Sequence, residues 1–147
     1  MSKRVSKQRL GRADYEMACA LDRQGREREA APRYELAIAL GLAPGDMRGA
    51  LLGLGSTYRC LGAYDEAVAV LRRGRRQFPR AREFDVFLAM ALYHVGRHNE
   101  AMSLLLQVVA DSSRDPGVGA YRRAIAQYAN QFGRQRSASR NRSRLRS

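Results

Sequence analysis

His94 and His98 stand four residues apart, the spacing that places two imidazoles on one helical face as metal ligands. Gly96 lies between them and predicts a helix stop, and no cysteine or carboxylate stands at motif spacing to complete a ligand set. The pair therefore reads as two exposed imidazoles at a turn, with no metal or cofactor expected. Cys60 and His94 occupy equivalent places on successive segments, as a thiol nucleophile and its base would if their helices met side by side. Packed helices lie about 8–10 Å apart, so contact would require both side chains to lean together. No glycine-rich phosphate loop, GxSxG elbow or HExxH is found. No enzyme class gains support, and a noncatalytic protein is expected.

Arginine is the other residue that could do chemistry, by gripping anions. LRRGRRQFPRAR holds Arg72, Arg73, Arg75, Arg76, Arg80 and Arg82, and RQRSASRNRSRLRS holds Arg134, Arg136, Arg140, Arg142, Arg144 and Arg146. For the first segment the plain reading is a solvated outer helix face whose arginine stems cover Leu71 and Phe78. The functional reading is an anion-binding ridge. For the second, solubility stands against sequence-independent, weak attraction to nucleic acid or another polyanion. Residues 1–12 add five Lys or Arg and no acid, and residues 133–147 six Arg and no acid, which leaves sixteen basic against fourteen acidic residues between. The net charge of +13 thus sits on the two ends rather than on the middle, which is nearly neutral.

The elements that must position these residues belong to one domain, since 147 residues suffice for a single core and hardly for two. Two cysteines and no charged-then-apolar leader point away from a disulfide framework and towards a reducing cytoplasm. No apolar run approaches the roughly 18 residues of a membrane span, so no membrane partner is expected.

The chain repeats itself. GLGSTYRCLGAYDEA at 53–67 is echoed 34 residues later by LAMALYHVGRHNEA, and Gly25, Gly62 and Gly96 head a common register. Five residues on come Ala30, Ala67 and Ala101; upstream come Met17, Leu54 and Leu88, the small Ala18, Gly55 and Ala89, then Leu21, Tyr58 and Leu92; downstream come Tyr34, Leu71 and Leu105. Small residues at Gly55 and Ala67 predict two antiparallel helices in close approach, and the glycines predict left-handed turns between them. Asp65 and Asn99 are placed to cap the following helices. The step from the first repeat to the second is three residues longer, and LAPGDMRG is expected to absorb the excess as a loop.

Leu54-Gly55, Tyr58, Gly62, Glu66-Ala67, Leu71 and Pro79 resemble the signature of the tetratricopeptide repeat (TPR). The first and third copies match less fully, with Leu21 and Leu92 for Tyr58 and Ser113 for Pro79; Val108 is larger than the family's small residue. YELAIALGL, RGALLGLGSTYRCLG and VFLAMALYHVGR further resemble small bacterial single-domain TPR proteins of unassigned function, over about Gly25 to Tyr93. The resemblance implies an all-α, right-handed solenoid of three helical hairpins at about 11–44, 48–81 and 82–115. It also implies protein or peptide binding in the concave groove.

A capping helix is expected at 117–132, where Tyr121, Ala124, Ile125, Tyr128, Ala129 and Phe132 share a helical face that would cover the end of the stack. Residues 1–10 are expected as a basic tail, and 133–147 as a disordered Arg/Ser-rich tail. The register sends Tyr15, Cys19, Arg23, Leu52, Ser56, Cys60, Val86, Met90, Tyr93 and His94 toward the groove. Family members that grip a chaperone's C-terminal carboxylate carry Lys, Asn and Arg where this chain has Tyr15, Cys19, Gly53, Glu83 and Phe87, so that role is set aside. The expected function is a noncatalytic interaction module taking a peptide, an amphipathic helix or another copy of itself, as in a homodimer. The alternative is a nucleic-acid-associated protein whose tails bind electrostatically while the repeats hold a protein partner.

Overall fold

The computed structural model describes the backbone of residues 2–144 and the side chains of residues 2–135. Among them it contains α1 (Lys3–Arg23), α2 (Glu27–Leu40), α3 (Pro44–Cys60), α4 (Tyr64–Gln77), α5 (Glu83–His94), α6 (His98–Ser112), the short α7 (Pro116–Ala120) and α8 (Arg122–Arg144), and no strand. The first six form three hairpins, and each new first helix packs on the hairpin before it.

The three hairpin turns are built alike. Gly25, Gly62 and Gly96 take φ of 69°, 77° and 76°, left-handed values that cost a residue with a Cβ. In each, the amide after the glycine donates five residues back, from Arg26 to Leu21 O, Ala63 to Tyr58 O and Arg97 to Leu92 O, at 2.9–3.0 Å. Acidic residues then open the second helices, Glu27 and Glu29, Asp65 and Glu66, and Glu100, where the helix dipole favours negative charge. Asp65 and Asn99 are not the caps expected of them. The cap positions are Ala63 and Arg97, without a side-chain bond, so Asp65 and Asn99 fall within the first turn.

The longer step to the second repeat is not a looser loop. Only Gly41 to Ala43 separate α2 from α3, and the extra length extends α3 at its start, where Pro44 occupies a first-turn position that needs no amide hydrogen. Hairpins meet where a side chain is missing. The Tyr34 ring rests on Gly53, where a Cβ would lie 2.6 Å from it, and Phe84 fills the space a Cβ on Gly74 would take. Within the second hairpin, Gly55 makes room for Leu71, rather than for Ala67 as the register implied. The most deeply buried large side chains are Phe84, Leu51, Leu71, Leu88 and Leu92.

Both ends differ from the expected plan. Residues 3–10 are no separate tail but the first turns of α1, begun by Ser2, whose hydroxyl accepts the Val5 amide, and free of proline. Gly11 lets this helix lie on the end of α2, with the Gly41 carbonyl 2.9 Å from where a Cβ would be. At the other end α7 and α8 replace one helix at 117–132, and helical backbone continues through the run expected to be disordered as far as Arg144. No proline interrupts it, and Gly133 abuts Ser103 of α6. The side chains from 136 on, with Arg136, Arg140, Arg142, Arg144 and Arg146, lie outside the described residues.

The cap's buried face is rotated by about one residue from that expected. Ala129 is fully buried and Ile125 and Phe132 half-buried, whereas Tyr128 is 56% exposed and Tyr121 more so. A charge at Tyr128 would therefore bury nothing. Nor does α8 cover the end of the stack: it lies along α6, with Arg122 Nε donating to Ala110 O at 2.7 Å, and makes no comparable contact with α5. Leu105, assigned with Tyr34 and Leu71 to a packing column, is left substantially exposed, as is Met17 at the opposite end.

Candidate functional site

The third hairpin carries a concavity with a mostly apolar lining. Helix α5 sends Ala89, Met90, Tyr93 and His94 to one side, and α6 sends His98, Ala101, Met102 and Leu105 to the same side. With Arg59 of α3 they line a cleft of about 540 Å3. Its rings are locked together. His94 stacks flat on Tyr64, centroids 4.3 Å apart, Tyr93 lies 4.9 Å from the His98 ring, and His98 Nε2 is 3.1 Å from the Tyr93 carbonyl oxygen. Both imidazoles are exposed, and among the described residues no group of three His, Cys, Asp or Glu is placed to hold a metal. The cleft offers an apolar floor with a rim of Arg59, His94 and His98, which suits a helix or strand with an apolar face and a nearby carboxylate.

The ten residues sent by the register toward the groove divide in the structure. Met90, Tyr93 and His94 meet in the cleft, and Arg23 and Cys60 are exposed. Ser56 and Val86 are half-buried. Tyr15, Cys19 and Leu52 are packed against the core instead. Tyr15 stands 6.2 Å from Tyr34 and fills the space beside Gly49. Cys19 lies 3.7 Å from the Tyr34 hydroxyl, which donates to Asp22 Oδ2 at 3.0 Å, and the same carboxylate sits 3.1 Å from Thr57 Oγ1 of the next hairpin. Tyr15 against Gly49, Tyr34 against Gly53 and the Asp22–Thr57 bond hold the first junction together. Arg59, His98 and Met102 were missed by the sequence reading, and Leu105 was taken as core. For the residues of α6 the signal was present in the repeat register, since among the described residues no fourth hairpin follows the third.

The central arginines are partly spent on carboxylates. Arg72 reaches Glu100 at 2.9 Å, Arg75 reaches the buried Asp85 at 2.5 Å, and Arg82 contacts Asp85 at 3.2 Å and Asp111 at 3.0 Å. These pairs tie α4 and the following turn to the third hairpin, and a buried carboxylate with two guanidiniums is costly to leave unpaired. Arg73, Arg76 and Arg80 are exposed, as is Arg134.

Stacked two-helix units with small residues at their contacts and glycine turns define a helical-repeat scaffold. The comparison with known families makes it specific: the family described as Tetratrico peptide repeat matches residues 11–132, and the chain belongs to it. No curated protein matches the chain. Such repeats generally mediate protein–protein interaction and are typically noncatalytic. Among the described residues no helix is long and apolar enough to cross a membrane.

Proposed function

We propose that this chain is a noncatalytic interaction module that takes an amphipathic helix of a protein partner in the cleft between α5 and α6. The observation that carries this reading is the exposure of Tyr93, Met102 and Leu105 around one cleft of the third hairpin, where residues at the corresponding places of the second hairpin are largely covered. Helix-in-groove binding uses apolar anchors at i, i+3, i+4 and i+7, and a trough between two helices accepts that spacing.

A photo-crosslinking residue at Met102, compared in the native cell with one at the exposed Leu36 on α2, tests the reading. Discrete protein crosslinks are expected at Met102, and their loss on Leu105→Glu, with helicity by circular dichroism unchanged. Equal crosslinking at the two positions, or crosslinks at Met102 indifferent to Leu105→Glu, would place binding elsewhere.

A further inference from the structure

Each internal junction is made in the same way. The second hairpin presents Met47, Ala50, Leu54 and Thr57 to the first, and all four are buried. Thirty-four residues on, the third presents Ala81, Phe84, Leu88 and Ala91 in the same register, again all buried. Carried back to α1, the register gives Leu10, Ala13, Met17 and Ala20. Among the described residues no hairpin packs on them, and Leu10 is 60% and Met17 49% exposed, against 7% and 4% for Met47 and Leu54.

The opposite end carries the matching half. Leu105 is 37% exposed where Leu71 is 0% and Tyr34 3% exposed, because α8 lies on another face of α6. Among the described residues, one end face thus meets no following hairpin and the other no preceding one.

We infer that a second copy of this chain supplies what is missing at each end, its α1 entering the α5–α6 cleft as α3 and α5 enter the internal junctions. This rests on the cleft being a helix-binding site and names the helix. The local fit supports it. Tyr34 demands Gly53 opposite it, but at the second junction Leu71 takes the place of Tyr34 and Phe87 that of Gly53, so a leucine there tolerates a large partner. At the proposed junction the pair is Leu105 and Glu16. Glu16, which pairs with Arg12 at 3.1 Å on exposed α1, brings a carboxylate to a cleft rimmed by Arg59, His94 and His98.

The contact is head-to-tail, with different surfaces on the two copies. It does not close on itself as a twofold dimer does, so chains should add one after another. The charge of +13 opposes this at low salt, and screening should favour it. Attachment of the arginines to a polyanion would respond to salt in the opposite direction.

Sedimentation equilibrium of the full chain from roughly 5 to 500 µM tests the inference, at about 50 and 500 mM salt. The average mass should rise several-fold with concentration, without a plateau at the dimer, and more so at high salt. Met17→Glu blocks one end and Leu105→Glu the other, so each variant alone should stay monomeric. Mixed in equal amounts they should form a one-to-one dimer and stop there, joined through the two intact ends. Should Leu105→Glu lose its helicity, Met102→Glu replaces it, since Met102 is more exposed and lines the same cleft.

A monomeric parent chain at every concentration and salt overturns the inference; if Met102 still crosslinks another protein in a Leu105-dependent way, the cleft reading survives it. A mixture that remains monomeric also overturns it, as does self-association of Met17→Glu alone. If Leu105→Glu alters neither self-association nor crosslinking, both readings fail.

Discussion

Phe84→Ala lowers the stability of the array by about 3–5 kcal/mol, the range for truncating a fully buried phenylalanine that neighbours cannot replace. Phe84 is completely buried, lies 6.3 Å from Phe78 in a stacked arrangement, and occupies the recess left by Gly74. The recess makes the effect specific. Gly74→Ala in the parent chain should also destabilise, since a Cβ there would overlap the Phe84 ring. In the Phe84→Ala background the added methyl enters the cavity, and the same change should cost less or even stabilise. Urea denaturation of the four proteins of this cycle measures the coupling. Strict additivity would show that α4 and α5 do not meet through this pair.

Alkaline solution should unfold the protein well before arginine deprotonates. Burial pushes the Tyr34 phenol far above its ordinary value, helped by Cys19 and Asp22. It also raises Tyr58, whose hydroxyl donates to Glu35, and lifts Tyr15 to about 12. A phenol with a raised folded pKa stabilises fully below its unfolded value, near 10, and that contribution disappears as pH climbs through the folded value. The urea midpoint should therefore hold up to about pH 9.5 and fall continuously to pH 12. Tyr34→Phe should flatten the fall, while costing about 1 kcal/mol at neutral pH through the lost bond to Asp22. A midpoint independent of pH between 10 and 12 would contradict the burial of these phenols.

Much of this architecture could be read from spacing alone. A left-handed turn needs glycine, a close helix crossing needs a small residue, and Gly25, Gly62 and Gly96 with Ala30, Ala67 and Ala101 meet both needs. The capping face was misjudged because successive residues on a helix differ by about 100°, so Tyr121 and Tyr128 passed for neighbours of Ile125 and Ala129 on a half-buried helix. The candidate groove erred for another reason. Periodicity shows which side of a helix is apolar, but not whether Tyr15 or Leu52 meets a later helix. That depends on the offset between hairpins, which Gly49 sets for Tyr15 through the space it leaves. The ion pairs of Arg75 and Arg82 with Asp85 bring together α4, the following turn and α5, so a run of like charges gave no hint of them.

The large side chains buried most deeply lie between Leu51 and Leu92, and each hairpin makes its main contacts with the next. Contacts so local in sequence are made without closing long loops, which favours folding on a timescale of roughly microseconds to milliseconds. They also let order begin in the middle and spread outward. The amides of α3 to α5 should then be the slowest to exchange with deuterium, and those of α1 and α8 the fastest. A uniform rate along the chain would mean that the six hairpin helices open as one unit. With graded opening, the exposed face of α1 belongs to a segment that loosens first, so a partner that docks on it would also tighten a part of the chain least able to hold itself.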